Sequence, residues 1–177
     1  MPWTTPRTWV AGEILTASNM NTHVRDNTSW LGTDKPHCRV RNSAALLIAN
    51  TTTTALTFDT EDFDVGAMHS TVTSTDRITV PTGGAGAYLC GMGVDWATNS
   101  AGYRQIFIRT NGTTTIVAEA LPVTTAAAIC HQVIVTIASL AVGDYIQMIV
   151  NQSSGGNLNV LSSAAWTPVA WAAWYST

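Results

Sequence analysis

The sequence predicts an all-β jelly-roll sandwich preceded by an extended N-terminal arm and one short helix. Two observations carry this reading. From Tyr88 to Trp96 the larger side chains fall on every second residue (Tyr88, Cys90, Met92, Val94 and Trp96), while Gly91, Gly93 and Asp95 take the alternate positions. A period of two over this length is a half-buried strand, not a helix. From residue 37 onward, period-two segments also follow one another with turn residues between them, the pattern of a β-sandwich or jelly roll. The two glycines opposite the apolar row leave room for another backbone or a bulky neighbour.

Residues 1–15 read as an extended arm. Pro2 and Pro6 oppose helix, and Trp3, Trp9, Val10, Ile14 and Leu15 make the arm too apolar for a disordered tail. It is expected to dock, on a partner or on the chain's own knob. Residues 16–31 read as a helix, with Thr16 or Ser18 able to N-cap it, Gly32 to end it and Pro36 beyond. Met20, Val24, Asn27 and Leu31 fall on one stripe, either a very short coiled-coil seam with one polar member that sets register or a helix lying flat on another surface. Residues 33–36 read as a linker, so the chain divides into an attachment arm and helix, 1–36, and a knob, 37–177.

The knob's expected strands are 37–41, 45–49, 55–58, 78–80, 87–96, 103–110, 114–121, 129–138, 144–152, 158–161 and 169–175. Asn111-Gly112 is the strongest hairpin signal among the turns. Ile129, His131, Val133, Val135 and Ile137 alternate on one strand, and Ile134 makes that strand apolar on its other face too. A small sandwich with such a strand calls for a cover, and the expected cover is another subunit. Trp166, Trp171, Trp174 and Tyr175 load the chain's end with aromatic surface. That end is expected to be locked into a sheet or an interface.

Composition narrows the function. Only 11% of the 177 residues are charged, well under the roughly 25% of a typical soluble domain. Lys35 is the single lysine. So little charge leaves a neutral polar surface or surface hidden in an assembly, and the second is the expectation. A net charge of −3 argues against nucleic acid, which calls for a basic face. No apolar run nears the roughly 20 residues of a membrane span. The N-terminus does not read as a signal peptide, so synthesis in a cytosol is expected. Cys38, Cys90 and Cys130 lack the paired spacing of a zinc site and read as free thiols.

Asp59, Glu61, Asp62 and Asp64 could offer oxygen ligands to Ca²⁺, but without EF-hand spacing they read as a solvated loop. His131 reads as a hydrogen-bonded core or interface histidine, and His23, His37 and His69 are scattered. Arg25 and Asp26 read as surface or locally paired residues. No motif orders a nucleophile, a base and an oxyanion hole. The expectation is a protein without catalytic activity, metal or cofactor.

Three segments resemble C1q and tumour-necrosis-factor-like domains: ITVPTGGAGAYLCGMGVDW at 78–96, QIFIRTNGTTT at 105–115, and SLAVGDYIQMIVNQSSGG at 139–156 with its Leu-x-x-Gly-Asp start. The hydrophobic final strand VAWAAWY fits as well, while Ile78 and Leu89 stand where phenylalanines are usual. The resemblance implies a jelly roll that assembles as a compact homotrimer, its first and last strands on the inner sheet near the three-fold axis. His131, Val133, Val135, Trp171, Trp174 and Tyr175 are the expected interface residues.

The N-terminal segment TPRTWVAGEILTASNMNTHVRDNTSWL resembles a leader of small structural proteins of tailed bacteriophages, through Thr8-Trp9, Gly12-Glu13, Thr16-Ala17, Asn21 and Arg25-Asp26. It implies a virion component attached to capsid or tail proteins through Trp3, Trp9, Ile14, Leu15, Met20, Val24 and Leu31. A capsid decoration or head-fibre protein is the leading expectation. The alternative is a tail-tip or tail-fibre protein whose knob binds a host receptor or surface glycan, with Trp96 or Tyr103 stacking on a sugar ring.

Overall fold

The computed structural model describes residues 4–122, 129–162 and 168–176. The N-terminal helix begins where expected: the Thr16 hydroxyl accepts a hydrogen bond from Asn19 N at 3.2 Å, satisfying one of the first turn's orphan donors. It runs as an α turn, Ala17–Met20, π turns, Asn21–Asp26, an α turn, Asn27–Ser29, and π turns again, Trp30–Asp34. Gly32 therefore lies inside the helix, and the expected linker from residue 33 begins two residues late. Packing is the physical reason, because Trp30 is buried with its ring edge-on to Trp174 at 4.6 Å, and this contact holds the last turns against the knob. Asn27 is not a seam residue. Its side chain is buried and clamps the arm, accepting from Thr4 N at 3.0 Å and donating to Thr4 O at 2.7 Å.

Among the described residues the knob has twelve strands: β1 (His37–Arg41), β2 (Leu46–Ile48), β3 (Thr54–Ala55), β4 (Thr60–Val65), β5 (Arg77–Thr79), β6 (Gly86–Trp96), β7 (Tyr103–Thr110), β8 (Thr114–Pro122), β9 (Cys130–Leu140), β10 (Tyr145–Gln152), β11 (Leu158–Val160) and β12 (Val169–Ser176). The larger sheet runs β2-β11-β6-β12-β1-β4, with β9 on the other side of β6. The smaller runs β3-β10-β7-β8, with β5 also on β10. Every pairing is antiparallel. The core lies between the sheets. From β6 it takes Tyr88, Cys90, Met92, Val94 and Trp96, and from the facing strands Ile106, Ile108, Ile146, Met148 and Val150, as alternation predicts. In the ladder Ala172 sits between Cys38 and Cys90, and both thiols are buried.

The structure corrects one expectation here. The acidic run is not a solvated loop but most of edge strand β4, paired with β1. Its carboxylates have specific partners. Asp62 accepts from Arg41 Nε at 2.8 Å and pairs with Arg39 at 3.2 Å, while Asp64 accepts from the backbone N–H groups of Met68 and His69. On β9 the core side is Gln132, Ile134, Ala138 and Leu140, while Val133, Val135 and Ile137 point outward. Gln132 is tolerated inside because its Oε1 accepts from Trp96 Nε1 at 2.8 Å and its Nε2 donates to Arg104 O at 3.3 Å.

Candidate assembly surface

Residues directly opposite in a β-ladder share a face, so the register alone draws the outward surface of the larger sheet. One row runs Val135, Gly91, Trp171, Arg39 and Phe63 across β9, β6, β12, β1 and β4. The row on one side is Ile137, Leu89, Ala173, His37 and Val65; on the other it begins Val133, Gly93, Val169 and Arg41. Trp171 lies flat over Gly91, where a Cβ would come within 2.1 Å of its ring, so the predicted bulky neighbour is found within this chain. Beside it the apolar side chains stand in water, Val133 at 61%, Val135 at 49% and Ile137 at 59% exposure, with Leu89 also exposed.

Charge frames this surface on both sides. On the β9 side a ring nitrogen of His131 lies 2.5 Å from the Asp95 carboxylate, which is almost fully buried while the His131 ring is half exposed. On the β4 side, Arg39 and Arg41 converge on Asp62. Between Trp171 and the end of the helix a groove of about 430 Å³ opens, lined by Lys35, His37, Arg39, Phe63, Trp171 and Trp174.

The expected interface residues therefore separate. His131, Val133, Val135 and Trp171 share the outward face. Trp174 does not: it is opposite Tyr88, packs on Trp30 and carries the Lys35 ammonium 5.3 Å above its ring. Tyr175 is exposed at a break in the β12 register. Sequence reasoning missed Leu89, Ile137 and Phe63, although the alternation that places Val133 and Val135 also places Ile137.

Of the expected attachment residues, Trp3 lies outside the described residues. Trp9, Ile14, Leu15, Met20, Val24 and Leu31 are all exposed, as is Val10. The arm has internal order: Gly12 turns with φ +83°, Glu13 pairs with Arg7 at 2.5 Å, and the Arg7 guanidinium lies 4.8 Å over Trp9.

Trp96 cannot stack on a sugar, because it is fully buried. Tyr103 is exposed, with its hydroxyl donating to Asn151 Oδ1 at 3.1 Å. Next to it Arg104 is fully buried and donates to the carbonyls of Asn99, Ala101 and Tyr103, fixing the loop between β6 and β7. Desolvation lowers its pKa, opposed by nearby Cys130, whose own pKa is raised by burial. Among the described residues no three His, Cys, Asp or Glu side chains gather to hold a metal ion, and no helix is long and apolar enough to cross a membrane.

No protein-family model matches the chain, and no curated protein matches it in sequence. Solved structures do. The crystal structure of murine APRIL at pH 8.0 superposes with a TM-score of 0.59 at 12% identity, covering 79% of this chain and 98% of that one. The Eiger TNF of S. frugiperda gives 0.55 at 11%, covering 80% and 91%. The globular domain of zebrafish complement 1qA gives 0.53 at 13%, covering 81% and 100%. Those values span nearly the whole of each neighbour, and the knob has the jelly-roll fold of the TNF-like and C1q-like domains.

Proposed function

We propose that this chain is a non-catalytic structural protein of a tailed-phage particle, a homotrimeric knob held to the virion by its N-terminal arm and helix. The observation that carries the assembly half is the outward row of Leu89, Val133, Val135 and Ile137, continuous with Trp171. A patch of this kind on a charge-poor chain marks an interaction surface. Fully burying one aliphatic side chain of this size contributes about 1.5–3 kcal/mol, and several at once can offset the cost of association. The apolar β9 edge and the groove beside Trp171 are two different patches on one face. Contacts between different patches close into a ring when the rotation permits, and a three-fold ring agrees with the C1q and TNF resemblance.

The virion half rests on the leader resemblance and on the exposed apolar side chains of the arm, from Trp9 to Leu31. A compact knob with a short anchor suits a capsid decoration or head-fibre protein present in many copies. A tail-fibre location is the alternative, and copy number in purified particles separates the two: hundreds per particle fit the capsid and a handful fit the tail.

The first test is solution mass by light scattering. A mass three times 18.8 kDa supports the trimer, and a monomer overturns it. Deleting residues 1–36 should leave a folded trimer that no longer joins particles. Loss of the trimer on that deletion would make the helix, not the knob, the oligomeriser.

A further inference from the structure

On the smaller sheet, away from the proposed assembly residues, one guanidinium is held in place without a hydrogen-bond acceptor among the described residues. Arg77 of β5 stacks over Tyr145 of β10, its Cζ 4.3 Å from the ring centroid. Asp76 Oδ1 is 3.6 Å from Arg77 Nε, close enough for ionic attraction and too far for a hydrogen bond. That Nε is buried and has no hydrogen-bond acceptor among the described residues. With Nε sealed, the terminal nitrogens of the planar guanidinium fork are the donors left for a partner.

Arg77 lines a polar cavity of about 260 Å³ together with Ser70, Thr73, Ser74 and His69. His69 forms a wall without offering a donor, because its Nδ1 is taken by Glu61 Oε1 at 3.0 Å and its Nε2 by Thr75 O at 3.2 Å. The Ser70 and Thr73 hydroxyls lie 3.4 Å apart, and Ser70 Oγ already accepts from the backbone N–H groups of Val72 and Thr73. The cavity thus has one cationic fork, a cluster of hydroxyls and the space of a single small ligand.

We propose that this cavity binds a compact hydroxylated oxyanion, of the class of a sugar acid or a polyol phosphate, with Arg77 clamping the anionic group and Ser70, Thr73 and Ser74 engaging the hydroxyls. The planar fork matches two oxygens of a carboxylate or phosphate at once, and stacking on Tyr145 fixes its plane before the ligand arrives. Asp76 is a built-in competitor for the same guanidinium. The inference does not depend on the trimer or on the virion reading.

The test is a ¹H–¹⁵N titration of the full chain with D-glucuronate, glycerol 1-phosphate and D-glucose. Saturable shifts centred on residues 67–79 and Tyr145 are expected with at least one oxyanion, at least tenfold tighter than with glucose. A tighter fit for glucuronate assigns a carboxylate ligand and a tighter fit for glycerol 1-phosphate assigns a phosphate one; either sustains the clamp. Arg77→Gln should weaken binding at least tenfold and Thr73→Val a few-fold. Asp76→Asn should strengthen it several-fold by removing the competing charge, a gain that a merely structural role for Arg77 would not produce. Absence of saturation by both oxyanions, glucose binding as tightly, or Asp76→Asn failing to strengthen binding each overturns the proposal, the last even if Arg77→Gln does not fold.

Discussion

The indole of Trp171 occupies the space that any side chain at Gly91 would need: a Cβ there would lie 2.1 Å from Cζ2 and 2.3 Å from Cε2. Gly91→Ala must therefore expel the ring or bend β6. Overpacking of this kind costs about 1–3 kcal/mol, and chemical denaturation should register a loss in or above that range. Adding Trp171→Ala should recover part of it, because residues in contact are not additive.

Val135 lies opposite Gly91 on the exposed side of β9. Val135→Asp should leave the protomer's stability within about 0.5 kcal/mol, as surface changes usually do. The same change should convert a trimer to monomers on light scattering, since it would place three carboxylates in one desolvated interface. A trimer that survives it is built on some other surface.

Trp30 against Trp174 joins helix to knob. An aromatic pair adds about 0.5–1.5 kcal/mol beyond the area it buries. Trp30→Ala should free the helix and leave the sandwich intact. Hydrogen exchange should accelerate across residues 17–34 while the amides of β6 and β12 keep their protection.

Alkaline pH should unfold the knob through buried groups of the core, Tyr88 and Cys90 among them. Burial pushes the Tyr88 hydroxyl and the Cys90 thiol each up to about 12, against about 10 and 8.5 in an unfolded chain. Both raised values favour the protonated form in the folded state. Their contribution is therefore fully present below the unfolded values and is lost as pH climbs from about 8.5 toward 12. Tyr88→Phe should flatten the part of that decline above pH 10, at the cost of the hydrogen bond the hydroxyl donates to Gly84 O at 2.5 Å. Melting temperature measured from pH 8 to 11.5 checks the slope.

Acid acts through exposed groups of the opposite sign. Asp59, which accepts from the Ser43 hydroxyl and N–H, and Asp144, which accepts from Asn111 and Ala141 N, both have lowered pKa values. Their contribution is present above the unfolded carboxylate value and disappears as pH falls through the folded one. Asp144→Asn should therefore shrink the stability difference between pH 5 and pH 2.

Alternation made the strands legible wherever one face met the core and the other did not, as on β6, β7 and β10. It failed on β4 because TEDFDV is an edge with both faces wet, and its partners Arg39 and Arg41 are about twenty residues away in sequence. On β9, apolar residues occupy both faces, so periodicity gave the strand but not the side that packs. The deciding residue is Gln132, which reads as polar and outward until its bond to Trp96 is known. The helix was legible from its Thr16 cap, whereas its continuation through Gly32 depends on Trp30 reaching a tryptophan more than a hundred residues away. Room beside Gly91 was readable, but its occupant was not, since no local pattern pairs it with Trp171.

Cys38 and Cys90, sealed on either side of Ala172, give the molecule a built-in unfolding clock. Burial raises both thiols, and a thiol reagent needs an exposed thiolate. Neither can be modified while β1, β12 and β6 remain joined, so the rate at which they are labelled reports how often the centre of the larger sheet comes apart.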